Sequence, residues 1–197
     1  ATLLARTLLC TRRSPADMAP CGHCEACVQV TAETHPDVIR VRKPDNKNVI
    51  PIDLLIGAPE VRMQEGFCRD VRLSPYCGRR KVAILEDADF LNEEGANCLL
   101  KTLEEPPADA VIILVGTSEQ KQLPTIRSRC QVIRFQPLGD EDAVRLLRDV
   151  HQIEASESEI AEAVKIAAGD ISVALRLLNE ATSQFRKSLL AAYSQAY

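Results

Sequence analysis

The apolar positions of this chain cluster in four short runs, which are separated by longer stretches of mixed polarity. The runs lie at residues 37–42, 81–86, 111–115 and 131–135. The first run alternates apolar and charged residues, whereas the second and third are continuously apolar, as in parallel strands that are covered on both faces. We expect a strand at each run, with residues 111–115 as a central strand of the sheet.

Helical periodicity fills most of the remaining chain. The predicted helices span residues 2–10, 22–34, 52–73, 93–103, 140–151, 156–168 and 171–197. Strands alternate with helices as far as Phe135, and only helices follow. This order predicts an α/β domain followed by a small helical domain, with a boundary near residues 137–139.

Composition and charge restrict the class of protein. Of the 197 residues, 46% are hydrophobic and 26% are charged, which is ordinary for a soluble globular protein. The net charge of −4 excludes a surface that is basic throughout, although a local basic strip remains open. No apolar run approaches the roughly 20 residues of a membrane span, and residues 1–10 do not resemble a signal peptide. We expect a cytoplasmic protein without a membrane partner, whose natural start lies upstream because residues 1–10 have the pattern of a mid-helix segment.

Four of the eight cysteines crowd together near the start of the chain. Cys10, Cys21, Cys24 and Cys27 follow the spacing Cys-x10-Cys-x2-Cys-x2-Cys. Two-residue gaps let neighbouring thiolates turn toward one ion, and Gly22 suits the tight turn that this requires. Four thiolates around one ion leave no open position for water or substrate. The spacing therefore predicts a structural zinc site in a protein of a reducing compartment.

Two other interpretations of these cysteines are weaker. Four buried free thiols would be unusual at this density. The sequence PCGHC at residues 20–24 matches the P-C-x-x-C half of a zinc-dependent nucleobase deaminase, but the sequence holds no upstream H-x-E, and Cys27 would be left without a role. His23 could replace one thiolate as a ligand, although it lies between two of them.

Acidic residues end the second apolar run. Glu86 and Asp87 follow VAIL at the carboxyl end of the predicted strand. P-loop NTPases hold magnesium and orient the attacking water at such a position. Strands also end in acidic residues simply because they reach the surface, so this feature alone leaves both interpretations open.

Three segments together resemble the bacterial clamp-loader subunits of DNA polymerase III, which belong to the AAA+ family. They are NCLLKTLEEPP at residues 97–107, LPTIRSRC at 123–130 and THPD at 34–37. The resemblance covers essentially the whole chain. It implies an α/β P-loop AAA+ parallel-sheet domain at residues 1–137, with the zinc module inserted at residues 10–34, and a three-helix lid domain at residues 138–197. The family's phosphate loop (Walker A) and its helical collar domain are not contained in this sequence.

Within this family, three features favour the delta-prime type over the ATP-hydrolysing gamma/tau type. The acids stand in the order Glu86-Asp87, where the motor subunits have Asp-Glu, and the shorter Asp87 displaces the carboxylate that would orient water. Ser172 stands where the motor subunits place their sensor 2 arginine, and the tail at residues 184–197 also resembles the delta-prime type. We expect little or no independent ATPase activity, with a gamma/tau-type motor as the alternative and a zinc-dependent deaminase-like enzyme as a more distant one.

The resemblance implies a stationary subunit that acts on its neighbours. Arg129, flanked by Ser128, would be an arginine finger that reaches into the ATP site of a neighbouring subunit. Thr117 would carry sensor 1 and, with Glu86 and Asp87, would form a degenerate nucleotide site, so that ATP and magnesium are expected only at the neighbour's site. The implied partners are the gamma/tau and delta subunits, the sliding clamp and primer–template DNA, within the nucleoid-associated replication machinery of a bacterial cytoplasm.

Overall fold

A computed structural model describes residues 1–77, 79–153 and 155–179, together with residues 182, 184, 185, 188 and 189. The chain divides into two compact units, Ala1–Val132 and Ile133–Tyr197. Most of the tail at residues 184–197, which the sequence compares with the delta-prime type, lies outside the described residues.

In the residues that the structure describes, the first unit is built on a sheet of three parallel strands. These are β1 (Val38–Val41), β2 (Lys81–Leu85) and β3 (Ala110–Leu114), in the spatial order β1-β2-β3. The register pairs Val38 with Val82, and Lys81 with Ala110. Because parallel strands place their carboxyl ends at one edge, the loops after β2 and β3 emerge side by side.

In the sheet that the structure describes, β2 is the most deeply covered strand, whereas residues 111–115 were expected to form a central strand. Every residue of β2 is buried, whereas every residue of β3 is half-buried. In the described part of the chain β3 is the outer strand, so one of its edges faces no other strand. The continuous apolar run therefore predicted a parallel strand correctly, but it did not predict the position of that strand in the described sheet.

The strand predicted at residues 131–135 does not form in the described structure. Its apolar side chains are exposed, Ile133 to 66% and Phe135 to 92%. A strand needs a neighbour for its backbone hydrogen bonds, and within the described sheet this segment pairs with no strand.

Six helices belong to the first unit, by the residues that the structure describes. They are α1 (Thr2–Leu9), α2 (Glu25–Thr31), α3 (Ile52–Ile56), α4 (Phe67–Arg72), α5 (Glu93–Glu104) and α6 (Pro124–Arg127). Single 3-10 turns lie at Pro15–Asp17, Pro59–Val61, Ala88–Phe90 and Glu119–Lys121. Asn92 caps α5 by accepting a hydrogen bond from the backbone N–H of Gly95 at 2.8 Å, as N-cap residues commonly do.

The long helix expected at residues 52–73 is broken into α3, a 3-10 turn and α4. Gly57 and Gly66 hold φ angles of 84° and 94°, which a helix cannot accommodate and which side chains disfavour. A Cβ on Gly66 would lie 2.7 Å from the backbone nitrogen of Gly57, so the two glycines form a close backbone approach. Pro59 then starts the 3-10 turn.

The side chains of β2 alternate between two apolar cores. Ala83 and Leu85 pack into a core that includes Phe67 and Leu99. Val82 and Ile84 pack on the opposite face into a core that holds three of the clustered cysteines and residues of α1 and α2. The cysteine cluster is thereby built onto one face of the sheet.

The second unit contains three helices among its described residues. They are α7 (Asp140–Asp149), α8 (Glu157–Ala167) and α9 (Ile171–Leu178). Their buried side chains form one core, which comprises Ala143, Leu147, Ile160, Val164, Ala167 and Ala174. Helix α9 ends at Leu178, where Asn179 adopts an extended conformation, so the helix predicted for residues 171–197 is not continuous.

Among the residues that the structure describes, none of the helices has the length and apolar character needed to cross a membrane.

Candidate functional site

The four clustered cysteines converge on one point. Their Sγ atoms all lie within 4.8 Å of one another. Cys10 immediately follows α1, Cys24 immediately precedes α2, and Cys27 lies in the first turn of α2. Helix ends thus deliver three of the thiols, and Cys21 enters from the loop between them. The prediction that these residues form one cluster is confirmed.

Hydrogen-bond donors surround the sulfur atoms. The backbone N–H of Cys21 donates to Cys10 Sγ at 3.5 Å, and that of Cys24 donates to Cys21 Sγ at 3.3 Å. Gly22, at a φ of 82°, turns its backbone N–H toward Cys27. Donors of this kind stabilise thiolates more than thiols.

The pKa values of the cysteines are shifted by burial, by these hydrogen bonds and by the neighbouring sulfur atoms. Burial opposes ionisation of Cys24, but hydrogen bonds from the hydroxyl and backbone of Thr11 outweigh it and lower the pKa to about 5. Burial and the neighbouring sulfurs raise the pKa of Cys27 to about 11. Four thiolates so close together need a cation to offset their mutual repulsion, so the donor set fits a soft, tetrahedral metal ion.

His23 lies outside the cysteine cluster. Its side chain is exposed, and Nδ1 is 2.8 Å from the backbone oxygen of Cys21. Within the described residues the cluster is therefore formed by cysteine alone.

The THPD segment anchors the loop that precedes β2. The fully buried carboxylate of Asp37 accepts hydrogen bonds from the backbone N–H groups of Tyr76 at 2.5 Å and Cys77 at 2.8 Å. Arg79, in the same loop, donates to the backbone oxygen of Cys10 at 2.7 Å. In the sequence this segment stands out only through the family resemblance. Its physical role is to tie the loop to the strand and the cysteine cluster.

The acids after β2 have different environments. Asp87 is exposed and holds a left-handed backbone conformation, with a φ of 56°. Glu86 is half-buried, and its Oε1 accepts a hydrogen bond from Arg40 Nη1 at 2.8 Å. This arginine could not be predicted from the sequence, because Arg40 is there only a polar position of an alternating strand.

Thr117 is bound to a third acid, which sequence analysis did not single out. Asp89 Oδ2 accepts hydrogen bonds from the backbone N–H and the hydroxyl of Thr117, both at 2.6 Å. Asp89 Oδ1 accepts another from Gln122 at 2.6 Å. Burial alone would raise the pKa of Asp89, but these hydrogen bonds outweigh it and lower the pKa. The only sign of Asp89 in the sequence was the repetition of acidic residues in EDAD at residues 86–89.

The loops after β2 and β3 are joined through their backbones. The N–H of Val115 donates to Leu85 O, and the N–H of Ala88 donates to Val115 O, both at 2.9 Å. Glu86, Asp87 and Thr117 therefore lie on adjoining loops at one edge of the sheet. Ser172 lies exposed in α9, in the second unit.

Arg129 is held by the segment around it and by α5. Its Nε donates to Glu104 Oε1 at 2.8 Å, and its Nη2 contacts the same carboxylate oxygen. Its Nη1 donates to Thr125 O at 2.9 Å and to Ser128 Oγ at 3.2 Å. The guanidinium is thus fixed along two of its edges while its side chain stays partly exposed.

Arg127 is the nearby arginine of the same segment. It forms an ion pair with Glu119 at 2.5 Å, and its side chain is exposed to a similar degree. The two arginines match in charge and setting but have different acidic partners.

Comparison with known proteins places the chain in a family. A family model described as "DNA polymerase III, delta subunit" matches residues 1–139. The chain is 33% identical to the DNA polymerase III subunit delta' of Escherichia coli over 94% of its length and 52% of the relative's. It is 40% identical to that of Pseudomonas aeruginosa over 64% of its length and 35% of the relative's. It is also 32% identical to the DNA polymerase III subunit tau of Bacillus subtilis over 93% of its length and 31% of the relative's.

A solved structure of a related DNA polymerase III protein is similar in fold to this chain. A gamma subunit-related protein of DNA polymerase III from Thermotoga maritima superposes with a TM-score of 0.50 at 26% identity, covering 84% of this chain and 52% of that one. The chain spans about half the length of the Escherichia coli relative. The parallel sheet with flanking helices is accordingly a P-loop AAA+-like fold, and the chain belongs to the delta-prime family of DNA polymerase III subunits, with gamma and tau as relatives.

Proposed function

We propose that this chain is a delta-prime-type subunit of a clamp loader, which supplies Arg129 to the ATP site of a neighbouring subunit while the sliding clamp is loaded onto primed DNA. The observation that carries the proposal is the family match over residues 1–139, which includes the segment of Arg129. Its partners would be gamma/tau and delta subunits, the sliding clamp and primer–template DNA. A bacterial cytoplasm, at the replication machinery of the nucleoid, is its proposed location.

Arg129 suits the role of an arginine finger. A guanidinium spreads positive charge over several phosphate oxygens, and arginine fingers contribute about 10³–10⁵ in rate to phosphoryl transfer. Glu104 and Ser128 hold the side chain on the surface of α5 and α6. A γ-phosphate carries more negative charge than Glu104, so it would compete for the same N–H groups when a neighbour docks.

The chain's own nucleotide site is proposed not to hydrolyse ATP. Asp87 is one methylene shorter than the glutamate of the motor subunits, and a displacement of roughly 1 Å can cost about a hundredfold in rate. Ser172 cannot neutralise a phosphate as the sensor 2 arginine would. Thr117 is taken as sensor 1, which Asp89 holds in place.

The four cysteines are proposed to hold a structural zinc. Cys10, Cys21, Cys24 and Cys27 would complete its coordination and leave no position for a substrate, so the ion would contribute folding energy to the module. The three helices of the second unit are proposed to form the lid domain of the AAA+ family, spanning residues 138–197.

The test of the function is reconstitution of the loader with full-length subunits. Omission of this subunit should abolish loading of the clamp onto primed DNA, and its addition should restore loading. The full-length subunit alone should show no steady-state ATP turnover. Turnover that disappears in Glu86→Gln would instead identify a gamma/tau-type motor, to which the tau relative also points.

A further inference from the structure

We infer that Arg40 takes the place of a divalent cation at Glu86, so that the acidic end of β2 is an internal ion pair and not a magnesium site. The inference gives a structural reason for the proposed lack of ATPase activity. It rests on the proposed function in one respect, namely that the end of β2 corresponds to the position where a P-loop fold holds its metal ion. It assigns the loss of metal binding to a residue on a different strand from the acids.

Arg40 is directed at Glu86 by the register of the sheet. Arg40 pairs with Ile84, two residues before Glu86, and side chains two apart lie on the same face of a strand. Its Nη1 lies 2.8 Å from Glu86 Oε1 and 3.1 Å from Glu33 Oε1. The contact with Glu86 is the more sheltered one, because Glu33 is 63% exposed and Glu86 is 27% exposed.

Arg40 is held in this position from a second side. Its Nη2 donates to the hydroxyl of Thr2 in α1 at 3.0 Å. The side chain is only 19% exposed. Its Nε is buried without a hydrogen-bond partner among the described residues, so the guanidinium is oriented by its two amino groups. A side chain confined between α1 and the sheet does not swing away freely to admit another cation.

The donor set therefore does not fit magnesium. Mg²⁺ binds carboxylate oxygen at about 2.0–2.1 Å and keeps several of its waters. An ion on Glu86 Oε1 would stand within about 5 Å of a guanidinium that binds the same oxygen, so the two cations would repel each other and compete for one carboxylate. Arg40 pairs with Glu86 more closely than with Glu33, so it offsets part of the negative charge that would attract the metal.

The test measures Mn²⁺ binding to the full-length, zinc-containing subunit by electron paramagnetic resonance of the free ion. As a single substitution in the otherwise wild-type subunit, Glu86→Gln should leave the Mn²⁺ affinity unchanged. Arg40→Gln should raise Mn²⁺ affinity by about tenfold, the size expected for one charge about 5 Å from a divalent ion in a solvent-like dielectric. The gain should be lost again in the double variant Arg40→Gln/Glu86→Gln.

Two further variants serve as controls. Arg40→Lys keeps the positive charge and should bind Mn²⁺ as the wild type does. Arg69→Gln makes the same change of net charge at an ion-paired arginine of α4 and should also leave affinity unchanged. Folding of each variant is checked by denaturant unfolding, where the Arg40 and Glu86 substitutions should be non-additive.

Either of two results overturns the inference. One is a tenfold loss of Mn²⁺ affinity in Glu86→Gln alone, which would mean that the metal displaces Arg40. The other is an Arg40→Gln variant with wild-type affinity or additive unfolding effects. None of these readouts involves other subunits, so a failure of the proposed function in the reconstituted loader is recognised separately.

Discussion

At the scale of single residues, Asp89 connects the two loops that carry the nucleotide-site candidates. Its carboxylate receives three hydrogen bonds, two from Thr117 and one from Gln122. Gly116 leaves room for this arrangement, since a Cβ there would lie 2.7 Å from Asp89 Oδ1. The position of Thr117 therefore depends on one ionised side chain.

Replacement of that carboxylate should destabilise the first unit in a pH-dependent way. Because hydrogen bonds lower the pKa of Asp89, the folded state binds fewer protons than the unfolded state in acid. The stabilisation is complete above the unfolded pKa and is lost as the pH falls through the folded pKa. Asp89→Asn should lower the free energy of unfolding by about 1–3 kcal/mol at neutral pH, and the difference from wild type should shrink in acid.

Denaturant unfolding over a range of pH measures this difference. The exposed Asp109, changed to Asn, is the matched control and should have little effect at any pH. A difference between wild type and Asp89→Asn that stays constant into acid would show that the charge of Asp89 is not involved.

Residues whose chemistry depends on local spacing could be predicted from the sequence, but residues that pair with distant partners could not. The cysteines were predictable because two-residue gaps suffice to define a metal site. Arg40 with Glu86, Asp89 with Thr117 and Arg129 with Glu104 are separated by 46, 28 and 25 positions. Such pairs are created by the register of the sheet and the packing of α5, which no single segment reveals.

At the scale of elements, the cysteine cluster joins helix ends to one face of the sheet. Cys10 and Cys27 are fully buried with Val82 and Ile84. The cluster shares this core with α1 and α2, while the opposite face of the sheet has a separate core around Phe67 and Leu99. The strands should therefore outlast the loss of a metal.

The purified protein should contain one zinc per chain in an all-sulfur environment. Cys27→Ser should lose the metal and show faster hydrogen exchange over residues 10–30, whereas protection of β1–β3 should persist. The exposed Cys77, changed to Ser, is the control and should retain zinc. Elemental analysis without zinc, or an X-ray absorption spectrum of nitrogen and oxygen ligands, would contradict the assignment.

The break between α3 and α4 should be sensitive to any side chain at Gly66. A Cβ there would meet backbone atoms at 2.7–2.9 Å, at a φ of 94°. Gly66→Ala should destabilise the first unit by roughly 1–3 kcal/mol, seen as a lower midpoint of thermal unfolding. Gly139, which has open space around it, should tolerate alanine with a loss of less than about 1 kcal/mol. Equal effects of the two substitutions would contradict this explanation of the break.

Two elements were predicted wrongly from the sequence, the long helix at residues 52–73 and the strand at residues 131–135. Periodicity over residues 52–73 is helical, but the close approach of Gly57 and Gly66 is a backbone contact that periodicity does not record. Residues 131–135 have the composition of a strand, yet a strand forms only beside a partner. Both errors concern tertiary contacts, whereas the strand type of β1, β2 and β3 followed from their apolar patterns alone.

At the scale of the whole molecule, we propose a subunit whose chemistry is directed at its neighbours. Arg40 forms an ion pair with Glu86 after β2, and the Sγ atoms of the four clustered cysteines converge on one point. Arg129 is the partly exposed cation that the family resemblance assigns to a neighbour's ATP site. We therefore propose that this arginine acts in trans.

The most direct test is the steady-state ATP turnover of a clamp loader reconstituted with Arg129→Ala in the full-length subunit. Turnover should fall because one of the ATP sites loses its arginine finger, while the remaining sites keep theirs and some activity persists. Zinc content and assembly of the ring should be unchanged, since a partly exposed arginine contributes little to the core. Arg129→Lys should rescue poorly, because an ammonium cannot reproduce the guanidinium fork. Arg127→Ala, the matched substitution in the same segment, should retain turnover; equal losses in the two alanine variants would contradict the account.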